Sequence, residues 1–510
     1  MRYITTGTQM QAIDAYTINE LEIPSMVLME RAALSVAQIV SAYLEELELT
    51  GQPRILIVTE GGNNGGDGLA VARILSGYGY DTDVWQIGGV THETDQYRRQ
   101  KQILERLEIQ VHQGVTETDL QMWKQPRYDV IIDGIFGVGL HREIRSPQRE
   151  VIRCMNELGG LKCAIDIPSG IDSTDGHVYG IGFRADVTVT FGCEKTGQLI
   201  GKGPEYCGDL VLADIGFPAQ AVSYGSPVCY AYEDGDQWRY LPERNRSGNK
   251  GTFGKVTVVA GSESICGAAL LSAEAAYRSG CGLVEIITHQ NNREAIQERL
   301  PEALLQVYSN QEEAVHLLKK AEGWADAIVI GPGIGTGEIG QALTRTALES
   351  DRPLIVDADA ITNCSEMPEL LQLRTGKAGM ILTPHMKEME RLSGVPVSQL
   401  KQAPWKYAQE FADEKEAVCV LKDARTVVAV SGETQCYINL SGNDGMATGG
   451  SGDALTGIIA SFLVQGLSLA EAARTGVYIH GLAGDAAAEK KGHRGMLAGD
   501  IILGLEEVLL

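Results

Sequence analysis

The sequence predicts an α/β protein of two domains, each built on a mainly parallel sheet. Short β-branched runs alternate with helical segments along the whole chain, which is typical of parallel strands joined by helices. The alternation is interrupted at residues 216–227, where glycine, proline and serine cluster. No internal repeat relates the two halves. We therefore expect two unrelated α/β domains over residues 1–225 and 226–510, with a boundary placed to within about ten residues.

The apolar runs have the near-continuous pattern of central strands covered on both faces. In the first half the predicted strands are residues 54–59, 128–133, 162–166 and 186–191. In the second half they are residues 254–260, 327–330, 354–357, 380–383, 418–421 and 426–430. A helix that has Ser25 as its N-cap is expected before the first of these strands. Its apolar face is predicted to hold Leu28, Ala32, Val36 and Ile39.

The charge balance bears on the possible ligands. The chain of 510 residues has 67 acidic and 43 basic side chains, giving a net charge of −24. This disfavours nucleic-acid binding, because phosphate neutralisation needs clustered lysine and arginine. An anionic substrate must instead be held by local features, such as backbone N–H groups, helix N-termini or bound cations.

Cysteine usage and the absence of long apolar runs predict a cytoplasmic protein. The ten cysteines are scattered, with no C-x-x-C pair and no Cys/His cluster of zinc spacing. They are expected to be reduced thiols. No run of about 18 apolar residues predicts a membrane helix, and the first residues lack the pattern of a signal peptide.

The first glycine-rich segment predicts an anion site. Residues 61–68 (GGNNGGDG) follow the strand at 54–59 directly and precede the helical run at 69–75. Backbone N–H groups converge where a strand, a glycine turn and a helix N-terminus meet, and the helix dipole favours negative charge there. The segment has neither the ending of a P-loop nor the spacing of a dinucleotide fingerprint.

Polar residues also end two further strands of the first half. Asp133 begins DGIFGVGL, and Asp166 and Ser169 belong to DIPSGID. Ligands of open α/β sheets bind beyond the carboxyl ends of strands, so these side chains are expected to meet Asn64 in one crevice. Oxygen ligands suit a hard cation, and an aspartate also suits proton transfer. Either aspartate alone could equally be a turn former or an N-cap.

These three motifs resemble the YjeF N-terminal family, the NAD(P)H-hydrate epimerases, over roughly residues 1–220. The resemblance implies a Rossmann-like three-layer αβα domain. It also implies a potassium ion held by Asn64, Asp133 and Ser169, and Asp166 as the catalytic acid/base. Contacts to the hydrate are implied for Asn63, Asn64, Gly65, Gly66, Asp67, Gly137, Val138, Gly139, Leu140, His141, Arg142, Glu143 and Asp166. After Met29 and Glu30 the chain has Arg31-Ala32-Ala33, where family members usually have Asn-Ala-Gly.

The second half contains its own phosphate-site signature in residues 443–455 (NDGMATGGSGDAL). Gly449, Gly450 and Gly452 would let the backbone approach phosphate oxygens, with a helix from about Ala454 aimed at them. Asp453 could deprotonate a hydroxyl that attacks a phosphoryl group. The simpler interpretation, an N-cap over a glycine turn, does not require Gly-Gly-Ser-Gly.

Supporting motifs follow in order: KGTFG at 250–254, GPGIG at 331–335, DADA at 357–360, TPH at 383–385 and KDART at 422–426. Together with the signature they resemble the ADP/ATP-dependent NAD(P)H-hydrate dehydratases of the ribokinase-like superfamily, over about residues 230–510. The resemblance implies a ribokinase-like αβα domain that uses Mg²⁺ and ADP or ATP. Contacts to the hydrate are implied for Gly267 or Ala268, Gly333 or Gly335, His385 and Asp453. Contacts to the nucleotide are implied for Lys422, Asp423, Ala424, Arg425, Thr426 and Gly452, with Asp423 standing where relatives often have glycine.

The two resemblances support one another. Water adds to the nicotinamide ring from either face, and a chiral kinase-like site should process one epimer, so a fused epimerase lets both be repaired. The sequence thus predicts repair of NADHX and NADPHX, in a homo-oligomer with no nucleic-acid or membrane partner. The alternative is a vitamin-type kinase fused to a non-catalytic binding module of the YjeF N-terminal type.

Overall fold

The computed structural model describes residues 1–46, 51–88, 93–125, 127–233 and 235–510. Two compact units divide it. The N-terminal unit comprises Tyr3–Val228, and the C-terminal unit comprises Cys229–Leu510 with Met1–Arg2. The division falls a few residues after the boundary expected from the sequence.

The N-terminal unit alternates strands and helices. Its strands are β1 (Arg2–Thr5, whose first residue belongs to the other unit), β2 (Arg54–Thr59), β3 (Asp81–Gln86), β4 (Val111–Gln113), β5 (Val130–Gly134), β6 (Leu161–Ile165), β7 (Val187–Phe191), β8 (Glu194–Lys195) and β9 (Asp209–Ala213). Its helices are α1 (Gly7–Asn19), α2 (Ser25–Glu46), α3 (Asn63–Gly77), α4 (Asp95–Arg106), α5 (Glu117–Trp123), α6 (Gln148–Glu157), α7 (Thr196–Leu199), α8 (Pro204–Cys207) and α9 (Ala219–Gly225).

The main sheet of this unit is fully parallel, in the order β4-β3-β2-β5-β6-β7-β9. Alternate residues of β2 belong to hydrophobic cores on opposite faces of the sheet. Ile55 and Ile57 pack with α2 and α3, whereas Leu56 and Val58 pack with α6 on the opposite face. The sheet is thus the middle of three layers, as predicted. A short parallel pair, β1 with β8, places Thr5 beside Lys195.

Helix α2 is the element whose details differ most from the prediction. It begins at Ser25 itself, so Ser25 is its first helical residue and not its N-cap. Leu28, Ala32 and Val36 are buried as expected, and Ile39 is half-buried. The helix is long and apolar enough to cross a membrane by length and composition. Its buried residues belong to the core between the helices and the sheet of this unit.

The C-terminal unit has strands β10 (Cys229–Ala231), β11 (Lys255–Val259), β12 (Leu283–His289), β13 (Leu304–Tyr308), β14 (Ala327–Ile330), β15 (Leu354–Val356), β16 (Met380–Leu382), β17 (Val418–Leu421), β18 (Val427–Val430) and β19 (Cys436–Ile438). Its helices are α10 (Gln237–Tyr240), α11 (Gly267–Arg278), α12 (Arg293–Arg299), α13 (Gln311–Glu322), α14 (Glu338–Glu349), α15 (Ala358–Glu366), α16 (Met386–Ser393), α17 (Val397–Leu400), α18 (Pro404–Lys415), α19 (Ser451–Val464), α20 (Leu469–Lys491) and α21 (Ala498–Val508).

Its strands run in the order β13-β12-β11-β14-β15-β16-β17-β18-β19-β10. The pairs are parallel except β17 with β18 and β18 with β19. Helices α11, α19, α20 and α21 share one core with the strand residues that face them, such as Val256 and Val329. Alternate residues, such as Ile328 and Leu354, are also fully buried, so the sheet is covered on both faces.

Candidate active sites

A cavity of about 1050 Å³ opens at the carboxyl edge of the N-terminal sheet, where β2, β5 and β6 end. Many of the residues predicted to contact substrate line it. They are Asn63, Asn64, Asp67, Gly137, Val138, Gly139, Leu140, His141, Arg142 and Asp166. Parallel strands bring their carboxyl ends to one edge, and the loops that follow them therefore enclose a common crevice.

The glycine-rich segment is helical where a loop was predicted. Helix α3 begins at Asn63, with Gly62 as its N-cap, so most of the segment forms its first turns. A Cβ at Gly65 would lie 1.7 Å from the Glu60 carbonyl oxygen, and one at Gly66 would lie 2.7 Å from the Met29 side chain. Both glycines are buried and neither lines the cavity. Both glycines let the helix pack closely against its neighbours, and their contact with substrate stays a prediction.

Glu143 also lies outside the main cavity. It lines a smaller neighbouring cavity of about 550 Å³, together with Arg142, Arg145 and Gln148. Of the segment predicted to contact substrate, residues 137–142 line the main cavity and Glu143 does not.

The residues predicted to hold potassium form a buried group beneath the cavity. The Ser169 hydroxyl and backbone N–H donate to the two Asp133 carboxyl oxygens, each at 2.7 Å. Both side chains are fully buried, and burial raises the pKa of Asp133 to about 6. The backbone of Asn64 is close by, because a Cβ at Gly134 would lie 3.3 Å from its carbonyl oxygen. The Asn64 side-chain amide nitrogen is buried without a hydrogen-bond partner.

Asp166 is held at the cavity wall by a lysine that the sequence reasoning did not single out. The Lys195 ammonium donates to Asp166 Oδ1 at 2.5 Å. Thr190 Oγ1 donates to the same oxygen at 3.2 Å, and Gln198 Nε2 donates to the Asp166 backbone carbonyl at 2.6 Å. The sequence does contain a signal for this lysine, because Lys195 closely follows the strand that ends at Phe191 and so lies near the same edge of the sheet.

Three more residues with carboxyl groups line this cavity: Asp14 on α1, Asp67 on α3, and Glu60, which follows β2. Burial raises the pKa of Asp67 well above its ordinary value, and the negative charges of Asp166 and Asp14 raise it further. Burial and Asp166 also raise the pKa of Asp14. The cavity can therefore hold an anionic carboxylate and a protonated carboxyl group together, which is what acid–base chemistry requires.

In the C-terminal unit the phosphate-site signature lies at the start of α19. Gly450 precedes the helix with φ +92°, a backbone conformation that favours glycine, and the helix begins at Ser451, earlier than predicted. Asp453 is thus in the first turn. Burial and the nearby Asp357 carboxylate raise its pKa to about 6, against the opposing effect of Lys422. A carboxyl group of that pKa can accept a proton near neutral pH.

Lys422 links the strand ends of this site. Its ammonium donates to Asp357 Oδ1 at 2.6 Å, and Thr383 Oγ1 donates to the same oxygen at 2.7 Å. A Cβ at Gly452 would lie 3.4 Å from the Lys422 ammonium. Burial lowers the pKa of Lys422, but the Asp357 and Glu388 carboxylates outweigh it and the pKa rises. Lys422 and Gly452, both predicted to contact the nucleotide, therefore lie close together near Asp453. Asp357, which the sequence placed only at the end of a strand, is the ion-pair partner of Lys422.

The other residues predicted to contact the hydrate in this unit lie at the start of α11, in the loop after β14 and at the start of α16. Ala268 lies near the start of α11, and a Cβ at Gly333 would lie 3.3 Å from its Cβ. The Gly335 backbone N–H donates to Asp359 at 2.8 Å, which ties that loop to the end of β15. His385 N-caps α16 through Nδ1, which accepts two backbone N–H groups. Burial and Lys422 lower its pKa, so its imidazole is neutral at neutral pH.

The rest of the predicted nucleotide segment forms the hairpin turn between β17 and β18. Asp423 and Ala424 are exposed, and Lys401 lies 3.9 Å from the Asp423 carboxylate. Arg425 donates to the Leu440 carbonyl at 2.7 Å, and Thr426 Oγ1 donates to the Asp423 carbonyl at 3.3 Å. The turn follows Lys422 directly along the chain.

Two family models match the chain. The model described as YjeF-related protein N-terminus matches residues 25–197, and the model described as NAD(P)H-hydrate dehydratase matches residues 256–506. Together with the two helix-covered parallel sheets, they confirm the predicted fold class, a Rossmann-like unit followed by a ribokinase-like unit.

Relatives match over nearly the whole chain. Proteins named bifunctional NAD(P)H-hydrate repair enzyme Nnr are 35% identical in Thermofilum pendens, covering 96% of this chain and 93% of that protein, and 35% identical in Moorella thermoacetica, covering 99% and 96%. The Escherichia coli protein of that name is 31% identical and covers 89% and 84%. A Bacillus subtilis ADP/ATP-dependent NAD(P)H-hydrate dehydratase, co-crystallised with ATP and Mg²⁺, is 33% identical; the match covers 55% of this chain and 98% of that one, with a TM-score of 0.49.

Proposed function

This chain belongs to the family of bifunctional NAD(P)H-hydrate repair enzymes, and on that premise we propose how its residues divide the two reactions. The N-terminal unit interconverts the R and S epimers of hydrated NADH and NADPH. The C-terminal unit dehydrates the S epimer at the expense of an adenine nucleotide. The observation that carries the assignment is that each unit places one aspartate close to a glycine turn and a helix N-terminus. Asp166 lines the cavity that the start of α3 also lines, and Asp453 lies in the first turn of α19.

In the epimerase unit Asp166 is the proton-transfer group. The hydrate carries its hydroxyl at C6, next to the ring nitrogen, so water can leave and return with assistance from the nitrogen lone pair. A carboxylate that accepts a proton as water returns to the opposite ring face inverts that carbon. The first turn of α3, at Asn63 and Asn64, is proposed to bind the pyrophosphate side of the hydrate, since free N–H groups and the helix dipole favour anions.

A potassium ion fits the group beneath this cavity. Asp133 is a buried carboxyl group with hydrogen-bond donors but no cationic partner among its contacts. Oxygen atoms of Asn64, Asp133 and Ser169 suit a hard monovalent cation. Such an ion would neutralise the carboxylate and fix the loops after β5 and β6, including the segment from Phe136 to Arg142. We assign it this structural role.

In the dehydratase unit Asp453 accepts the proton of the C6 hydroxyl as that oxygen attacks the terminal phosphoryl group. Phosphate then leaves C6 with the C6–O electron pair as the N1 lone pair assists, and C5 loses a proton to water, which restores the C5=C6 double bond. The turn at Gly450 and Gly452 and the N-terminus of α19 bind the transferring phosphoryl group. Lys422 and the turn that follows it bind the adenine nucleotide. Mg²⁺ would be held mainly through phosphate oxygens and would neutralise their charge; ADP is the proposed nucleotide, with ATP as the alternative.

Separated epimers of hydrated NADH test the whole assignment. The purified chain is given each epimer with ADP or ATP, and recovery of reduced nicotinamide is followed by absorbance. Asp166→Ala should block recovery from the R epimer alone, whereas Asp453→Ala should block recovery from both and leave epimer interconversion intact. Failure of recovery with either nucleotide, with phosphorylation of a vitamin alcohol instead, would contradict the dehydratase.

We propose further that the protein is cytoplasmic and forms a homo-oligomer. All ten cysteines are free thiols and nine of them are buried, which supports a reducing compartment. Size-exclusion chromatography with light scattering tests the oligomeric state, and cell fractionation tests the location.

A further inference from the structure

Lys195 is a fully buried lysine at the wall of the epimerase cavity. Its ammonium donates to three acceptors: Asp166 Oδ1 at 2.5 Å, Thr190 Oγ1 at 2.7 Å and the Phe191 carbonyl at 3.1 Å. An ammonium has three N–H groups, so each of them has a partner. A buried cation is expensive unless it is paired and hydrogen-bonded, and this one is both. Its position is therefore tightly fixed.

The backbone around Asp166 is fixed from the same segment. Asp166 has φ +65°, a left-handed conformation uncommon outside glycine. Its N–H donates to the Val189 carbonyl at 2.8 Å, and its carbonyl accepts from Gln198 Nε2 at 2.6 Å. The Lys195 backbone N–H in turn donates to Gln198 Oε1 at 2.8 Å. Residues 189–198 thus determine both where Asp166 lies and which way its carboxyl group points.

Charge is distributed unequally among the carboxyl groups of this cavity. Lys195 contacts the Asp166 carboxylate directly, whereas in the described part of the chain no hydrogen-bond donor contacts the carboxyl oxygens of Asp14 or Asp67. The other titratable groups on the wall are Glu60, His141 and Arg142. An opposite charge in contact favours the anion, and a like charge nearby favours the protonated form of a neighbour. Burial and the Asp166 charge both favour the protonated form of Asp67.

We propose that Lys195 is a positioning residue that holds Asp166 as an oriented anion, and that Asp67 is the carboxyl group carrying the proton in the same cavity. The inference rests on the proposed epimerase function and assigns separate acid and base roles within it. Two carboxyl groups whose surroundings favour different protonation states are a recurrent solution to acid–base catalysis.

The proton balance of the reaction follows from these roles. The Asp67 carboxyl group donates its proton to the C6 hydroxyl, which leaves as water while the N1 lone pair forms the N1=C6 bond. Water then adds to the opposite face of C6, the N1=C6 electron pair returns to N1, and the proton lost by the added water goes to Asp166. One proton has passed from Asp67 to Asp166, and exchange with solvent restores the starting state. No oxidant, reductant or further reactant is required.

The test compares variants of the full chain, with its own dehydratase reaction on the S epimer as an internal control. Lys195→Met should lower kcat for epimerisation by about 10²-fold or more, with little change in KM, because the base is no longer oriented. Thr190→Val keeps the lysine and should cause a smaller loss of kcat.

Asp67→Asn gives a second measurement that leaves the Lys195–Asp166 pair intact. It should lower kcat by about 10²-fold or more without raising KM in proportion. This result remains decisive if Lys195→Met fails to fold. Parental kcat in folded Lys195→Met, a loss confined to KM, or full activity in Asp67→Asn would each overturn the inference. Absence of epimerisation in the parent chain would instead contradict the proposed function itself.

Discussion

The acid–base assignment in the C-terminal unit predicts a specific pH dependence. Because burial and Asp357 raise the pKa of Asp453 to about 6, this carboxyl group is the base only above that pH. Its ionised fraction changes from about one tenth at pH 5 to about nine tenths at pH 7, so dehydration should rise about tenfold over that interval. Asp357→Asn removes a like charge and frees Lys422, and both changes favour the anion. The limb should therefore move to lower pH in this variant.

The measurement is kcat/KM for the S epimer at a saturating nucleotide concentration, followed by absorbance of the restored reduced nicotinamide. The same comparison excludes two other groups. Titration of the nucleotide phosphate would not respond to Asp357→Asn. Burial also raises the pKa of Glu388 to about 7, and Glu388→Gln serves as the matched control. A limb that ignores Asp357→Asn, or disappears with Glu388→Gln, would refute Asp453 as the base.

Three other perturbations follow from the contacts. Gly65→Ala should reduce epimerisation about 10²-fold, because its Cβ would lie 1.7 Å from a backbone oxygen and displace α3, whereas Gly62→Ala, with nothing within 4 Å, should remain active in the same assay. Potassium chloride, compared with tetramethylammonium chloride, should raise the melting temperature of the N-terminal unit, and Ser169→Ala should abolish the difference. Thr383→Val removes the hydrogen bond to buried Asp357 and should destabilise the C-terminal unit by about 1.5–3 kcal/mol in denaturant titrations.

Much of the architecture was predictable because hydrophobic periodicity and strand-end chemistry are local properties. The strands over Arg54–Thr59, Ala327–Ile330 and Val418–Leu421 are confirmed residue for residue, and the other predicted strands differ at their ends by one or two residues. Asp166 could be placed at a strand end and Asp453 at a helix start because both follow or begin regular elements at the carboxyl side of a parallel sheet. These inferences need only neighbours along the chain.

The first glycine segment marks the limit of such reasoning. Glycines at 61–68 are equally compatible with an anion-binding loop and with a helix that passes very close to another backbone. Only the approach of Glu60 and Met29 to Gly65 and Gly66 shows that these two glycines serve the close packing of the helix. That approach depends on how β2, α2 and α3 pack against one another, and it cannot be predicted from the spacing of residues within the segment.

The sequence by itself determined the two α/β domains, the two glycine signatures and the two aspartates around which the reactions are assigned. Only the tertiary structure shows which lysine forms an ion pair with a carboxylate at each of the two sites. Lys195 is 29 residues from Asp166, and Lys422 is 65 residues from Asp357, yet each ammonium contacts its carboxylate. Ion pairing depends on distance in space and on burial, and both are set when parallel strands from distant parts of the chain end at the same edge of a sheet.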